Sequence, residues 1–276
     1  MDEALQRLRE ILAAMDSVLV TFSGGVDSAL VARTAHEVLG DRAVALIATS
    51  PTLPVEELIA ARQVAEESGF ALLEVDAHEL DRDGYAANAG NRCYFCKTEL
   101  FDLAEHERNR LGLAWVADGT LVDDLGDDRP GLVAAGEHRV RHPLVEARLS
   151  KADVRRVALA LGMSVWDKPS FACLGSRFPA GTAITEDKLR RVARVETALR
   201  DLGLRQFRVR WHEIGDRVLA RIEVEPAELS WLAAPERRDP VVRVCREAGF
   251  AWVTLDLVGY QSPEVALERA LAERRP

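Results

Sequence analysis

Four short apolar runs, residues 18–22, 44–48, 71–75 and 114–117, recur along the first part of the chain, separated by longer stretches whose apolar positions repeat at helical spacing. Such alternation predicts parallel βαβ units. Leu5, Leu8, Ile11, Leu12 and Met15 fall on one helical face, which predicts an N-terminal helix docked on the core and not a signal peptide. The helix after the first strand should stop near Leu39, with Gly40 behind it. A second opens at Pro54, whose fixed φ suits a first helical turn, and closes at Gly69. Ser150 caps a helix to Leu161, with Asp153 in the capping-box position and Gly162 as the stop. A further strand is expected at residues 163–166.

Beyond Lys168 the rhythm changes, because Pro169, Gly175, Pro179 and Gly181 punctuate the chain too often for regular structure. The domain joint is expected here. Residues 1–168 read as an α/β domain with a doubly wound parallel sheet, and residues 169–276 as a smaller α+β domain. In the second, Thr185 caps a long helix to Leu202, stopped by Gly203. Strands at 206–211 and 219–224, a helix at 240–248 and a strand at 251–257 follow. No internal repeat or low-complexity segment interrupts this order.

The chain has 276 residues, of which 48% are hydrophobic, enough for one large core or two modest ones. Acidic residues number 45 against 36 basic, a net charge of −9, so the general footprint of a nucleic-acid binder is missing and no nucleic-acid partner is expected. No apolar run reaches the length of a membrane span. Four cysteines without a secretory signal point to the cytoplasm, where a close pair is more often metal-binding or catalytic than a disulfide.

Residues 23–28, Ser-Gly-Gly-Val-Asp-Ser, join the first strand to its helix. Gly24 and Gly25 let the backbone approach a ligand, Ser23 and Ser28 add hydroxyls, and the helix beginning near Asp27 turns its free N–H groups toward negative charge. The nucleoside triphosphatase loop, G-x-x-x-x-G-K-[ST], carries a lysine, and this one does not. It is the pyrophosphate-loop signature of the ATP pyrophosphatase superfamily, so ATP is the expected ligand. Thr49, at the carboxyl end of the second strand, begins a segment whose backbone is placed to frame adenine, and Asp118-Gly119-Thr120 holds the same kind of position later. Asp123, Asp124, Asp127 and Asp128 follow. They read either as a solvated acidic loop or as one or two carboxylates holding Mg²⁺ against triphosphate oxygens.

Cys93 and Cys96 stand three residues apart between Arg92 and Lys97, cationic surroundings expected to lower their pKa. They make half a metal site. Cys173, in a flexible segment with Arg177 four residues on, is the third candidate, and three cysteines suit an iron–sulfur cluster with one iron left open. A redox pair or an incidental pair are the alternatives. Cys245 falls with Val241, Val244 and Ala248 on a helical stripe and reads as core. None of the six histidines is assigned a catalytic role. Arg190, Arg191, Arg194, Arg205, Arg208 and Arg210 make a patch that is either a solvated helix face and strand edge or an anion site.

Together the 23–28 loop, Arg92-Cys-Tyr-Phe-Cys-Lys97, Asp118-Gly-Thr120 with Asp123-Asp124, Trp166-Asp-Lys-Pro-Ser170 and Ala172-Cys-Leu-Gly-Ser-Arg177 resemble the LarE family. These are ATP-dependent sulfur transferases that build the nickel-pincer nucleotide of lactate racemase. The resemblance spans both expected domains and is most specific around Cys173. It implies adenylation of a carboxylate of pyridinium-3,5-biscarboxylic acid mononucleotide, release of pyrophosphate, and attack of sulfur on the acyl-adenylate. One version of the family gives up the sulfur of a lone cysteine, here Cys173, and is left with dehydroalanine. The other holds a [4Fe–4S] cluster on three cysteines, and Cys93 and Cys96 make this chain resemble that one. Arg177, Glu196, Arg208 and Arg210 match the residues that bind the substrate phosphate, with Glu223 a further candidate; guanidinium forks suit that task. The family precedent is a homo-oligomer larger than a dimer. Leu121 and His142 depart from the family pattern, where asparagine and serine are commoner. A tRNA thiolase of the same superfamily and a nonenzymatic nucleotide sensor are the rival expectations.

Overall fold

The computed structural model describes residues 3–125, 130–169 and 171–261. Asp127, Asp128 and Ser170 lie outside them. The chain divides into two compact units, Met1–Cys173 and Leu174–Pro276.

The first unit runs α1 (Glu3–Ala13), β1 (Val18–Thr21), α2 (Val26–Leu39), β2 (Ala43–Thr49), α3 (Val55–Ser68), β3 (Ala71–Asp76), α4 (Asp83–Ala86), α5 (Arg92–Leu111), β4 (Trp115–Ala117), α6 (Pro130–Glu137), α7 (Pro143–Glu146) and α8 (Lys151–Ala160). The four strands are parallel in the order β3-β2-β1-β4. All four residues of β1 are buried, because it is a central strand covered on both faces. Val18 and Val20 pack with Leu8, Leu12, Leu30 and Val157 on one face, and Leu19 packs with Leu46, Phe101 and Val116 on the other. Each such side chain stabilises the fold by about 1.5–3 kcal/mol. The chain leaves β1 toward β2 on one side and returns to β4 on the other. The carboxyl ends of β1 and β4 therefore flank the switch point, where open α/β sheets hold ligands.

The second unit runs α9 (Glu186–Asp201), β5 (Phe207–Ile214), β6 (Arg217–Val224), α10 (Leu229–Ala233), α11 (Pro235–Glu247) and β7 (Trp252–Leu255). Its sheet has the order β5-β6-β7, antiparallel across the β5–β6 hairpin and parallel between β6 and β7. Trp211 and Phe250 meet edge to face at 5.3 Å in its core, and Val192, Val195, Leu199 and Cys245 are fully buried there.

The α/β class and the doubly wound sheet agree with the sequence, and three elements differ. Residues 163–166 form turns and no strand: Met163 and Val165 are buried and Trp166 is exposed, but the backbone closes locally, Trp166 N–H to Met163 O at 3.2 Å and Lys168 N–H to Val165 O at 3.1 Å. The alternation of burial was real, while a neighbouring strand was lacking. Helix α11 begins at Pro235, which takes the first-turn position expected of Pro240, and Pro240 lies inside it. Helix α5, the longest at 20 residues, was not drawn from the sequence, since only Phe101 and Ala104 among its residues are buried and its apolar stripe is thin.

Candidate active site

The loop after β1 folds on itself before it meets any ligand. Ser28 Oγ accepts from the Ser23 backbone N–H at 3.1 Å and donates to the Gly25 carbonyl at 3.3 Å, and its residue is buried. Gly24 adopts φ +73°, a conformation that favours glycine, and an added Cβ would meet Ala61 Cβ at 3.2 Å. Gly25 is the N-cap of α2 and offers no side chain to its N–H groups, which leaves that end of the helix to an anion. The loop after β4 comes so close that a Cβ on Gly119 would lie 2.6 Å from Ser28 N and 2.9 Å from its Cα.

A cavity of about 270 Å³ opens between these loops, lined by Ser23, Asp27, Ser28, Asp118, Gly119 and Thr120 among others. Six of the nine residues expected to bind ATP thus share one space. Lys97 and Asp124 line it too. A second cavity, about 140 Å³, shares Ser23 and Asp27 and adds Gly25, Glu57, Lys151, Lys168 and Phe171. Lys168 Nζ donates to the Gly24 carbonyl at 3.0 Å and pairs with Glu57 at 2.8 Å, and Lys151 Nζ pairs with Asp27 Oδ2 at 2.5 Å. The loop has no lysine in sequence, yet two reach it from 124 and 144 residues away. Lys168 sits in the Trp166-to-Ser170 motif, a signal that was available; Lys151 gave none. Gly24 and Thr49 line neither cavity, and the Thr49 hydroxyl bonds Asp76 Oδ1 at 2.8 Å.

The acidic residues divide by task. Burial works against the charge on Asp118, but His142 Nδ1 at 2.7 Å, the Thr120 N–H at 3.0 Å and the Thr120 hydroxyl at 2.8 Å outweigh it and hold the carboxyl below its usual range. Asp123 accepts the Lys151 N–H at 2.7 Å and so serves the start of α8. Asp27 is different. Burial raises its pKa against the attraction of Lys151, with Asp124 adding to the rise, and its Oδ1 is buried with no hydrogen-bond partner among the described residues. No three ligand-type side chains among the described residues gather as a metal ion would require. Mg²⁺ held mostly by water and phosphate oxygens needs only one or two carboxylates, and the unpartnered oxygen of Asp27, which lines the cavity together with Asp124, fits it.

Cys93 and Cys96 lie within the first five residues of α5, Cys93 exposed and Cys96 partly covered. The expected lowering of thiol pKa fails at Cys96. Burial pushes it up to about 12, the charges of Cys173 and Glu79 add to the rise, and Lys97 only partly offsets them. The charges of Cys173 and of Cys93 both act on Cys96. A cubane cluster spreads its thiolates over separate irons, so its ligands need not converge on one point, and the donor chemistry fits although the three thiols form no single-ion site. Cys245 is core, its thiol also pushed up to about 12 by burial.

In the second unit Arg177 and Glu196 form a buried two-pronged ion pair at 2.7 and 2.9 Å, and Glu196 also accepts the Val209 N–H at 2.9 Å, tying α9 to β5. Arg210 bonds Glu223 at 3.0 Å and the Ser176 carbonyl at 2.9 Å. Arg208, buried, lies 4.9 Å from the Tyr260 ring centre and donates to its hydroxyl at 3.1 Å. Burial lowers its pKa, and the charges of Arg210 and Arg177 push the same way. A cavity of about 260 Å³ beside them is lined by Arg210, Arg221, Glu223 and Asp256. Arg190, Arg191 and Arg194 take no part: they face Glu186, Asp187 and Glu247, and Arg191 also covers the Trp211 ring at 4.7 Å. Arg221 lies two residues from Glu223 on β6 and so on the same face, and Asp256 escaped sequence reading because only the pairing of β6 with β7 brings it to Arg221.

A parallel sheet with this loop at its switch point defines a pyrophosphate-loop nucleotide-binding protein, and the profile of the NAD synthase family matches residues 4–105. The chain is 45% identical over 262 residues to an uncharacterized protein of Synechocystis sp., covering 95% of this chain and 96% of that one. It is 36% identical over 252 residues to the pyridinium-3,5-bisthiocarboxylic acid mononucleotide synthase of Lactiplantibacillus plantarum, 91% of this chain and 89% of that one. An uncharacterized protein of Methanocaldococcus jannaschii is 26% identical over 245 residues, 89% and 91% of the two chains. The chain belongs to the family of the Lactiplantibacillus synthase, the LarE family of ATP-dependent sulfur-inserting enzymes. No helix among the described residues is long and apolar enough to cross a membrane.

Proposed function

We propose that this protein adenylates the carboxylates of pyridinium-3,5-biscarboxylic acid mononucleotide with ATP and replaces oxygen by sulfur to give thiocarboxylates. The observation that carries the reading is helix α5. It brings Lys97 to the wall of the cavity at the pyrophosphate loop and, in the turn just before, presents Cys93 and Cys96. Activation and sulfur thereby share one element.

The loop N–H groups, Lys151 and Lys168 suit the leaving pyrophosphate, and Asp27 with Asp124 would hold Mg²⁺ on the phosphate oxygens. A substrate carboxylate oxygen attacks the α-phosphorus; the bond to the β-phosphate oxygen breaks and pyrophosphate leaves with its electron pair. Sulfur then attacks the acyl carbon and AMP departs. Lys97 is positioned to neutralise charge on the phosphate. Cys93, Cys96 and Cys173 are the sulfur-handling thiols, and a [4Fe–4S] cluster on them would supply sulfide while sparing all three side chains. Arg208 and Arg210 suit the substrate phosphate, held in place by the Arg177–Glu196 pair and by Glu223.

The test is pyrophosphate release from ATP with and without the pyridinium substrate. Release that needs the substrate supports the reading. Release stimulated instead by tRNA, or none with either, refutes it.

A further inference from the structure

Asp118, immediately after β4, is buried and lines the nucleotide cavity. Its Oδ1 accepts the Thr120 N–H at 3.0 Å and lies 2.7 Å from His142 Nδ1, and its Oδ2 accepts the Thr120 hydroxyl at 2.8 Å. The carboxylate therefore shapes the turn whose Gly119 presses on the Ser28 backbone. His142 reaches it from a segment paired alongside β4: Ala117 and Arg141 form a parallel bridge, the Arg141 N–H donates to the Val116 carbonyl at 2.9 Å, and the Asp118 N–H donates to the Arg141 carbonyl at 3.1 Å. Backbone pairing thus fixes the imidazole at the level of Asp118. A carboxylate only accepts, so Nδ1 carries a proton in the neutral ring as in the cation. Direct contacts run from a half-buried imidazole through Asp118 and its turn to the start of α2.

We propose that His142 is a positioning residue for the nucleotide: its Nδ1–H fixes Asp118 and the turn to Thr120 against the pyrophosphate loop, and its positive charge cancels a carboxylate in the wall of a site that receives a polyanion. This rests on the reading of that cavity as the ATP site. The charged groups acting on the ring are Asp118 after β4, Glu146 on α7 and Lys97 on α5, and Arg141 already engages both oxygens of Glu146 at 2.8 and 2.5 Å. Asp118 is therefore the charge left for the imidazolium to balance. Its hydrogen bond to Asp118 raises the ring from 6.5 against the effect of burial, the charges of Asp118 and Glu146 add to the rise, and Lys97 opposes it. The cation is present below that raised value and lost as pH rises through it, so nucleotide affinity should fall over the same range.

The test is the affinity of the full chain for MgATP, measured by calorimetry across that pH range in wild type, His142→Asn and His142→Leu. Asparagine keeps an N–H near the place of Nδ1 and carries no charge; leucine has neither. Wild-type affinity should fall with rising pH by about tenfold, the scale of one charge acting through a partly screened site. His142→Asn should bind as alkaline wild type does, at every pH. His142→Leu should bind more weakly still, by about tenfold, the worth of a hydrogen bond to a charged group. A residue that only braced the fold would change affinity equally at every pH. The proposal is overturned by wild-type affinity that does not vary with pH, by a fall of the same size in His142→Asn, or by wild-type binding in His142→Leu. If wild type binds no MgATP, the reading of the cavity and the proposal fall together. Binding without pyrophosphate release on adding the pyridinium substrate sinks the functional reading alone.

Discussion

Gly119→Ala tests how tightly the two loops of the nucleotide cavity are coupled. The new Cβ would lie 2.6 Å from Ser28 N, 2.9 Å from Ser28 Cα and 3.1 Å from the Asp27 carbonyl carbon. Every one of these is backbone, so no side chain can swing aside. Either the start of α2 or the loop after β4 must retreat by most of an ångström. Overpacking of this kind costs about 1–3 kcal/mol, and a displacement of that size at a reacting centre costs about 100-fold in rate. Urea unfolding reads the first and kcat/KM for substrate-dependent pyrophosphate release the second. Gly136→Ala is the control, because its Cβ meets nothing within 4 Å and it lies exposed in α6. It should gain stability, up to about 1 kcal/mol, by better helix propensity. A Gly119→Ala protein with wild-type stability and kcat/KM would refute the coupling, and equal damage from both variants would refute the steric reasoning.

Glu196→Ala strands the Arg177 guanidinium and the Val209 N–H in the core, and breaking a buried pair costs about 3–5 kcal/mol; urea unfolding should show a loss of that size. Asp118 and His142 give opposite limbs of a pH profile. The carboxyl is held below its usual range, so its contribution is present above that range and lost as pH falls through the lowered value. The imidazole is raised from 6.5, chiefly by its hydrogen bond to Asp118, so its contribution is present below that value and lost as pH rises through the raised one. His142→Gln should flatten the alkaline limb of unfolding free energy against pH, and an unaltered limb would show that the pair contributes nothing. Maleimide labelling of native protein should be fastest at exposed Cys93, slower at Cys96 and slowest at Cys245, read by peptide mass.

The parts legible in the sequence were those written in local pattern. Buried parallel strands read as apolar runs, Ser150 with Asp153 wrote a capping box that the structure forms, and Thr185 capped α9 by accepting the Lys188 N–H. The 23–28 loop was equally plain, since its glycines and flanks lie within a dozen residues. What escaped depends on distance in the chain or on burial. Lys151 and Lys168 reach the loop only after the sheet is assembled. The thiol pKa was misjudged because sequence shows Arg92 and Lys97 beside the cysteines but hides the desolvation of Cys96, the larger effect. Residues 163–166 alternate in burial as a strand would, and nothing local reveals that no neighbouring strand is there to pair with them.

The central claim is that ATP activates a pyridinium carboxylate for sulfur drawn through Cys173 and its two neighbours. Mass spectrometry of small molecules and intact protein, after incubation with ATP, Mg²⁺ and the biscarboxylic mononucleotide, tests it most directly. The account predicts a thiocarboxylate product together with AMP and pyrophosphate, and Cys173 of unchanged mass if the cluster reading holds. A Cys173 lighter by the mass of hydrogen sulfide would replace the cluster with a sacrificed side chain. AMP and pyrophosphate without any sulfur in the product would contradict the account.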